Sequence, residues 1–166
     1  MPTVPPHVRP ISFASIELLL DLIYNARQVF PDVDMEELII LLCVADATTR
    51  PFMLNEKTPQ DVLLARKPPE EVRGSISRRL VSDKTGLPRE TVRRKVAALA
   101  ERGLLFLDEE GRVRIFYGLA DGSTWSAVEE GHEAVLRYLA RLQQFGVDPQ
   151  TVVRNFGKGQ KRGGSR

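Results

Sequence analysis

Ser77 to Leu104 reads SRRLVSDKTGLPRETVRRKVAALAERGL, and its punctuation decides how this stretch folds. Ser77 suits a helix N-cap, because its hydroxyl can accept from a backbone N–H that has no partner within the helix. Leu80 and Val81 supply the apolar contacts of that helix. Gly86 closes it, since glycine reaches the left-handed conformation at low cost. Leu87 then fills the corner, and Pro88 presets the dihedral for a second helix starting at Pro88 or Arg89. In this second helix Val92, Val96 and Leu99 recur at i, i+4 and i+7, one stripe facing a core. The opposite side carries Glu90, Arg93, Arg94 and Ala97, with Arg89 and Thr91 at the leading end.

Gly103 stops the second helix. Leu104-Leu105-Phe106-Leu107, then Asp108-Glu109-Glu110-Gly111, then Arg112-Val113-Arg114-Ile115-Phe116 read as a β-hairpin around an acidic turn. Helix, turn, helix and hairpin in this order make a winged helix. Thr85 to Leu104 resembles the winged helix-turn-helix domains of bacterial transcription regulators, with the Thr-Gly-Leu-Pro-Arg turn, the Thr-Val-Arg run and the Arg-Gly-Leu exit at that family's spacing. The likeness covers about forty residues.

Composition sets outer bounds. The chain has 166 residues, 42% hydrophobic and 28% charged, the make-up of an ordinary globular domain with helical extensions. One cysteine excludes an intrachain disulfide framework. The opening MPTVPPHVRPIS lacks the charged and apolar regions of a signal peptide, and the longest apolar run, Leu38 to Ala45, is too short to span a bilayer. A cytoplasmic protein without membrane contact is expected. Charge is unevenly placed: residues 11–49 sum to −6, residues 75–117 to +4, and residues 154–166 carry five basic groups and no acidic one. That asymmetry suits one region that avoids polyanions and another that seeks them, although charge runs also arise as plain solvated faces.

Five segments follow. Residues 1–11 are a proline-rich flexible arm. Residues 12–74 form an N-terminal helical segment: a helix capped by Ser12 with Ile16, Leu19, Leu20, Ile23 and Phe30 on its apolar side, ended by Pro31; a second capped by Asp34 and apolar all round from Leu38 to Ala45; and a short third from Pro59 to about Lys67, ended by Pro68-Pro69. Cys43 reads as a core residue. Residues 75–118 are the winged helix. Residues 119–148 begin with a turn at Asp121-Gly122-Ser123-Thr124 and continue as a helix from Trp125 to about Phe145. Residues 149–166 are a basic, glycine-rich flexible tail, suited either to attracting phosphates or to solubility alone.

In the last helix Trp125, Val128, His132, Val135, Leu139 and Leu142 follow steps of 3 and 4, the spacing of a helix-packing seam. The seam either covers the chain's own first helix or builds a homodimer. In helix order the chain resembles the MarR-like family, which implies dimerisation through the first, second and last helices. The same resemblance implies a possible small-molecule effector between these helices and the winged helix, near Tyr24, Phe52, Met53 and Trp125, although those residues are equally natural as core.

The expected fold class is therefore mainly α with a small β-hairpin, a winged helix-turn-helix flanked by dimerisation helices. The expected function is a sequence-specific, homodimeric regulator of transcription on double-stranded DNA. Arg89, Glu90, Arg93 and Arg94 are candidates for base edges, because arginine offers paired donors to guanine and a carboxylate accepts from cytosine. Thr91, Arg78, Arg79, Lys84 and Lys95 suit phosphates by type, and Arg112 and Arg114 flank the hairpin where they could meet backbone or minor groove. The alternative is a winged-helix module that binds protein and not DNA. No phosphate loop, nucleophile elbow, metal-ligand spacing or cofactor motif points to an enzyme.

Overall fold

Ser77 caps its helix as its position requires: the side chain accepts from Leu80 N at 3.2 Å in the computed structural model. The structure describes residues 4–116 and 123–148, excepting the side chains of 123–127. It is mainly helical with one small antiparallel sheet. Two compact units divide the chain, one of residues 30–125 and one of residues 1–29 with 126–166.

In the first unit, α2 (Met35–Met53) opens on a capping box, in which Asp34 accepts from Glu37 N and Glu37 accepts from Asp34 N. Leu38, Ile40, Leu41 and Val44 are buried, but Ile39 and Leu42 are exposed, so the apolar run of α2 is covered over only part of its circumference. It runs through Pro51, whose missing N–H leaves the Ala47 carbonyl unbonded within the helix. Gly74 packs there, and a Cβ on it would lie 2.3 Å from that carbonyl oxygen. No other residue type fits.

α3 is shorter than expected, Gln60–Leu63, and a 3-10 turn at Glu70–Val72 follows the two prolines. Next come α4 (Arg78–Thr85) and α5 (Arg89–Glu101), joined through Gly86 at φ 74°. Ser82 Oγ donates to the Leu87 carbonyl at 2.6 Å and fixes the corner. Strands β1 (Leu105–Leu107) and β2 (Val113–Ile115) pair antiparallel with Leu105 opposite Ile115 and Leu107 opposite Val113. Ile76 adds an unforeseen bridge to Val113, with N–H to O distances of 3.0 and 2.8 Å. One buried cluster joins these elements: Ile40, Leu41 and Val44 of α2, Ile76, Val81 of α4, Val92, Val96 and Leu99 of α5, and Leu105 and Val113 of the hairpin.

In the second unit, α1 spans Val8–Val29 and α6 spans Ser123–Gln144. The helix starts four residues before Ser12, inside the segment expected to be a flexible arm. Pro10 sits in the first turn, where no N–H is needed. The expected apolar side of α1 is largely exposed: Ile16, Leu19 and Leu20 are each about 60% accessible. Buried instead are Ala14, Leu142 and Val147, flanked by Ile11 and Tyr138. The expected Asp121-Gly122 turn and the tail of residues 149–166 lie outside the described residues.

Candidate nucleic-acid interface

The stripe Val92–Val96–Leu99 is fully buried, which fixes the rotation of α5 about its axis. That rotation leaves Arg89, Glu90, Arg93, Arg94 and Ala97 exposed on the other side, with Thr91 half-buried. Glu90 lies in the first turn, where its charge complements the helix dipole. It also grips Arg93: Nε reaches Glu90 Oε2 at 2.9 Å and Nη2 reaches Oε1 at 2.6 Å. Arg93 holds the Glu90 carboxyl below the usual carboxylate range, with Arg94 adding to the effect, and Glu90 in turn raises the guanidinium. Arg89 and Arg94 make no hydrogen bond or ion pair among the described residues.

Around this surface, Arg78 and Arg79 are exposed in the first turn of α4. Lys84, in its last turn, lies 3.8 Å from Asp46 of α2. Asp46 is already held by Arg50, which keeps its carboxyl below the usual range.

Lys95 departs from the expected phosphate-facing role. It occupies the i+3 place in the apolar stripe and is 6% exposed, with Nζ bonded to Asp34 and 3.3 Å from Glu36. Burial pulls its ammonium down, but hydrogen bonds to Asp34 and Glu36 more than offset this and leave it raised. Lys95 likewise holds the Asp34 carboxyl below its usual range. Arg102 ties the far end of α5 to the same region, reaching Glu37 at 2.7 Å and the Asp32 carbonyl at 2.8 Å.

The hairpin arginines are engaged within the unit. Arg112 donates to Ser75 Oγ and to the Ser75 carbonyl, both at 2.7 Å. Arg114 lies 3.3 Å from Glu70 and 3.9 Å from Asp108. The exposed residues of the hairpin turn are Glu109 and Glu110, so its tip is acidic. Neither internal bond of Arg112 was legible from residue type, because Ser75 lies 37 positions away.

In the other unit the expected seam splits. Val128, His132, Val135 and Leu139 are exposed, while Leu142 is buried beside Ala14. The side chain of Trp125 lies outside the described ones. Ala134 is buried and Gly131 lies against Leu22, so small residues let α6 approach α1 there, while Val128, Val135, Leu136 and Leu139 stay exposed. Arg137 pairs with Asp21 at 3.0 Å and Arg141 with Glu17 at 2.9 Å across the two helices. Gly131 and Ala134, three apart, were the sequence signal for this contact.

Of the residues named for an effector site, Phe52 is buried and Met53 and Tyr24 are exposed. Cys43 is half-buried, and burial pushes its thiol up although Lys84 opposes this. Among the described residues no group of His, Cys, Asp or Glu could hold a metal ion. No helix among them is long and apolar enough to cross a membrane. Comparison with family models, curated proteins and solved structures yields no match to this chain.

Proposed function

We propose that the chain is a sequence-specific DNA-binding regulator of transcription that acts as a homodimer, with residues 75–118 as a winged helix. The observation that carries this reading is the exposed row of Arg89, Arg93 and Arg94 on α5, opposite a face locked into the core. Such a helix can lie in the major groove, N-terminal residues first, while Arg78, Arg79 and Lys84 meet phosphates. The acidic hairpin tip and the internal bonds of Arg112 and Arg114 leave affinity mainly to α4 and α5. Lys95 holds α5 in place and does not touch DNA.

The second part of the proposal rests on the unit of α1 and α6. Ile16, Leu19 and Leu20 on one helix and Val135, Leu136 and Leu139 on the other are all more than 40% exposed. Apolar surface of this extent on two helices fits closure against a second copy. Two-fold pairing gives a palindromic operator with half-sites about 34 Å apart.

The test is a titration of selected duplex by fluorescence anisotropy at several salt concentrations. Arg93→Ala with Arg94→Ala should weaken binding of the selected duplex by tenfold or more and make the salt slope shallower, because two positive charges are lost from the face that meets DNA. Affinity within twofold and an unchanged slope would sink the assignment of α5. The acidic tip favours a second reading, a winged-helix module for protein partners, and such a module should fail to bind random duplex at low salt.

A further inference from the structure

The other ion pairs on α5 and its C-cap tie the helix to the start of α2, as Lys95 does through Asp34 and Arg102 through Glu37. The Glu90–Arg93 pair ties nothing. Both partners belong to α5, three residues apart, with side chains 72% and 63% exposed. Exposed pairs of this kind contribute little to folding. This one nevertheless takes up two donors of the central arginine on the exposed face, Nε and Nη2, with both carboxylate oxygens.

We propose that Glu90 is a selectivity guard: it sequesters Arg93 in a two-bond ion pair that opens toward a C·G base pair but not toward the phosphate backbone. The inference rests on the DNA-binding reading above. Its chemistry lies in what each target can return to the separated partners. A phosphate offers acceptors only, so Arg93 turning to it strands an anionic carboxylate beside another anion. A C·G pair offers both kinds of group in the major groove. Guanine O6 and N7 accept from arginine, and the cytosine N4 amino group donates to a carboxylate. Both members of the pair are then satisfied again.

Arg93 holds the Glu90 carboxyl below the usual carboxylate range, which favours the ionised form that the pair needs. Arg89 and Arg94 beside it make no such pair among the described residues, so either can turn to a base edge or to a phosphate without stranding a carboxylate. Discrimination is thereby concentrated at one position of the helix.

A double-mutant cycle on the full chain separates sequestration from simple repulsion. Glu90→Gln, Arg93→Ala and the double variant are titrated with random-sequence duplex across a salt series, and circular dichroism confirms that each is folded. Glu90→Gln should tighten random-duplex binding about five- to tenfold at low salt and steepen the log–log salt slope by about 0.9, one added phosphate contact. In the Arg93→Ala background the same change should gain less than twofold. Selection from a random pool should return a C·G pair with the native chain, and that preference should weaken with Glu90→Gln. Equal tightening in both backgrounds overturns the inference, because Glu90 then acts only as a repelling charge; so does no tightening at all. A native chain that binds no duplex at low salt defeats the DNA-binding reading itself, and the inference with it.

Discussion

In the unit of residues 30–125, buried side chains from three helices, the Ile76 segment and both strands meet in one cluster; in the unit of residues 1–29 and 126–166 the cluster is Ala14, Leu142 and Val147. The first unit closes on itself. The second leaves Ile16, Leu19, Leu20 and Leu136 more than half exposed, and its two helices meet through that small cluster, an edge-to-face contact of Phe13 with Phe145, and ion pairs that are exposed or only half-buried. A pair of helices with so little buried surface gains little from the hydrophobic effect. Under the proposed homodimer, the second unit would gain from a partner copy the burial that the first unit has by itself.

The largest expected effect probes that contrast directly. Leu99 is fully buried among the cluster residues, so Leu99→Ala should cost about 2–5 kcal/mol, read as a shift in urea unfolding that is the same at every protein concentration. Leu136 is 64% exposed, and its loss should cost an isolated chain under about 0.5 kcal/mol. In a homodimer, whose native unfolding already depends on concentration, the loss should instead cost more and by an amount that varies with protein concentration, and it should shift the oligomer toward monomer in sedimentation. Leu136→Ala that behaves alike at every concentration, with unchanged sedimentation, breaks the comparison.

Next in size is the buried ammonium that fastens α5 to the start of α2. Lys95→Ala should cost about 1–3 kcal/mol, because the partners Asp34 and Glu36 remain about half exposed and regain water. The associated pH dependence has two edges. Asp34 has a lowered folded pKa, so its share of stability is present above its unfolded value of about 3.9 and is lost as pH falls through the folded value. Lys95 has a raised folded pKa, so its share is present below about 10.4 and is lost as pH rises through the folded value. In Lys95→Met, urea midpoints measured from pH 3 to pH 11 should lose the alkaline edge and flatten the acid one. An unchanged profile would show that the pair contributes nothing.

Lys95 also marks where sequence reasoning stops. Helix boundaries around α4 and α5 were legible because Ser77, Gly86 and Pro88 act on groups within a few residues of themselves. The exposed row of arginines followed from the apolar stripe opposite. Lys95 fills the i+3 position of that same stripe, so its burial was implicit in the spacing, but its partner Asp34 lies 61 residues away. Residue type alone assigned it to phosphate. The internal bonds of Arg112 to Ser75 and the Ile76–Val113 bridge failed for the same reason, since pairing across the fold leaves no local signature. In α6 the large apolar residues drew attention to a seam, whereas Gly131 and Ala134 set the contact with α1. Small residues bury little and permit close approach.

Gly86 and Gly146 give a third, smaller test, one in each unit. They stand at φ 74° and 67°, and a Cβ on either would meet nothing within 4 Å. The cost of Ala is therefore the left-handed backbone alone, about 1 kcal/mol. Gly86→Ala should show that loss in the urea transition of the first unit. Gly146→Ala should show it only where α6 remains folded to its end, as native-state hydrogen exchange at Val147 would reveal. Val147 N–H closes that turn on the Leu142 carbonyl at 2.9 Å. Protection at Val147 equal in both proteins would mean that the end of α6 frays already.

The smallest effect concerns the ion pairs that span α1 and α6. Asp21 and Arg137 are 40% and 56% exposed, so Asp21→Asn should cost only about 0.2–1 kcal/mol. Screening over about 3 Å at 1 M salt should remove even that difference. The buried pair Lys95–Asp34 in the other unit is shielded from mobile ions on the lysine side, which is 7% exposed, and its contribution should persist at the same salt. Thermal melts of Asp21→Asn and Lys95→Ala at 0.05 and 1 M salt therefore carry the comparison to its finest grain. The first variant should converge on the native chain and the second should not. Convergence of both would place the α5 anchor among the solvent-screened pairs and remove its claim to hold the helix in register.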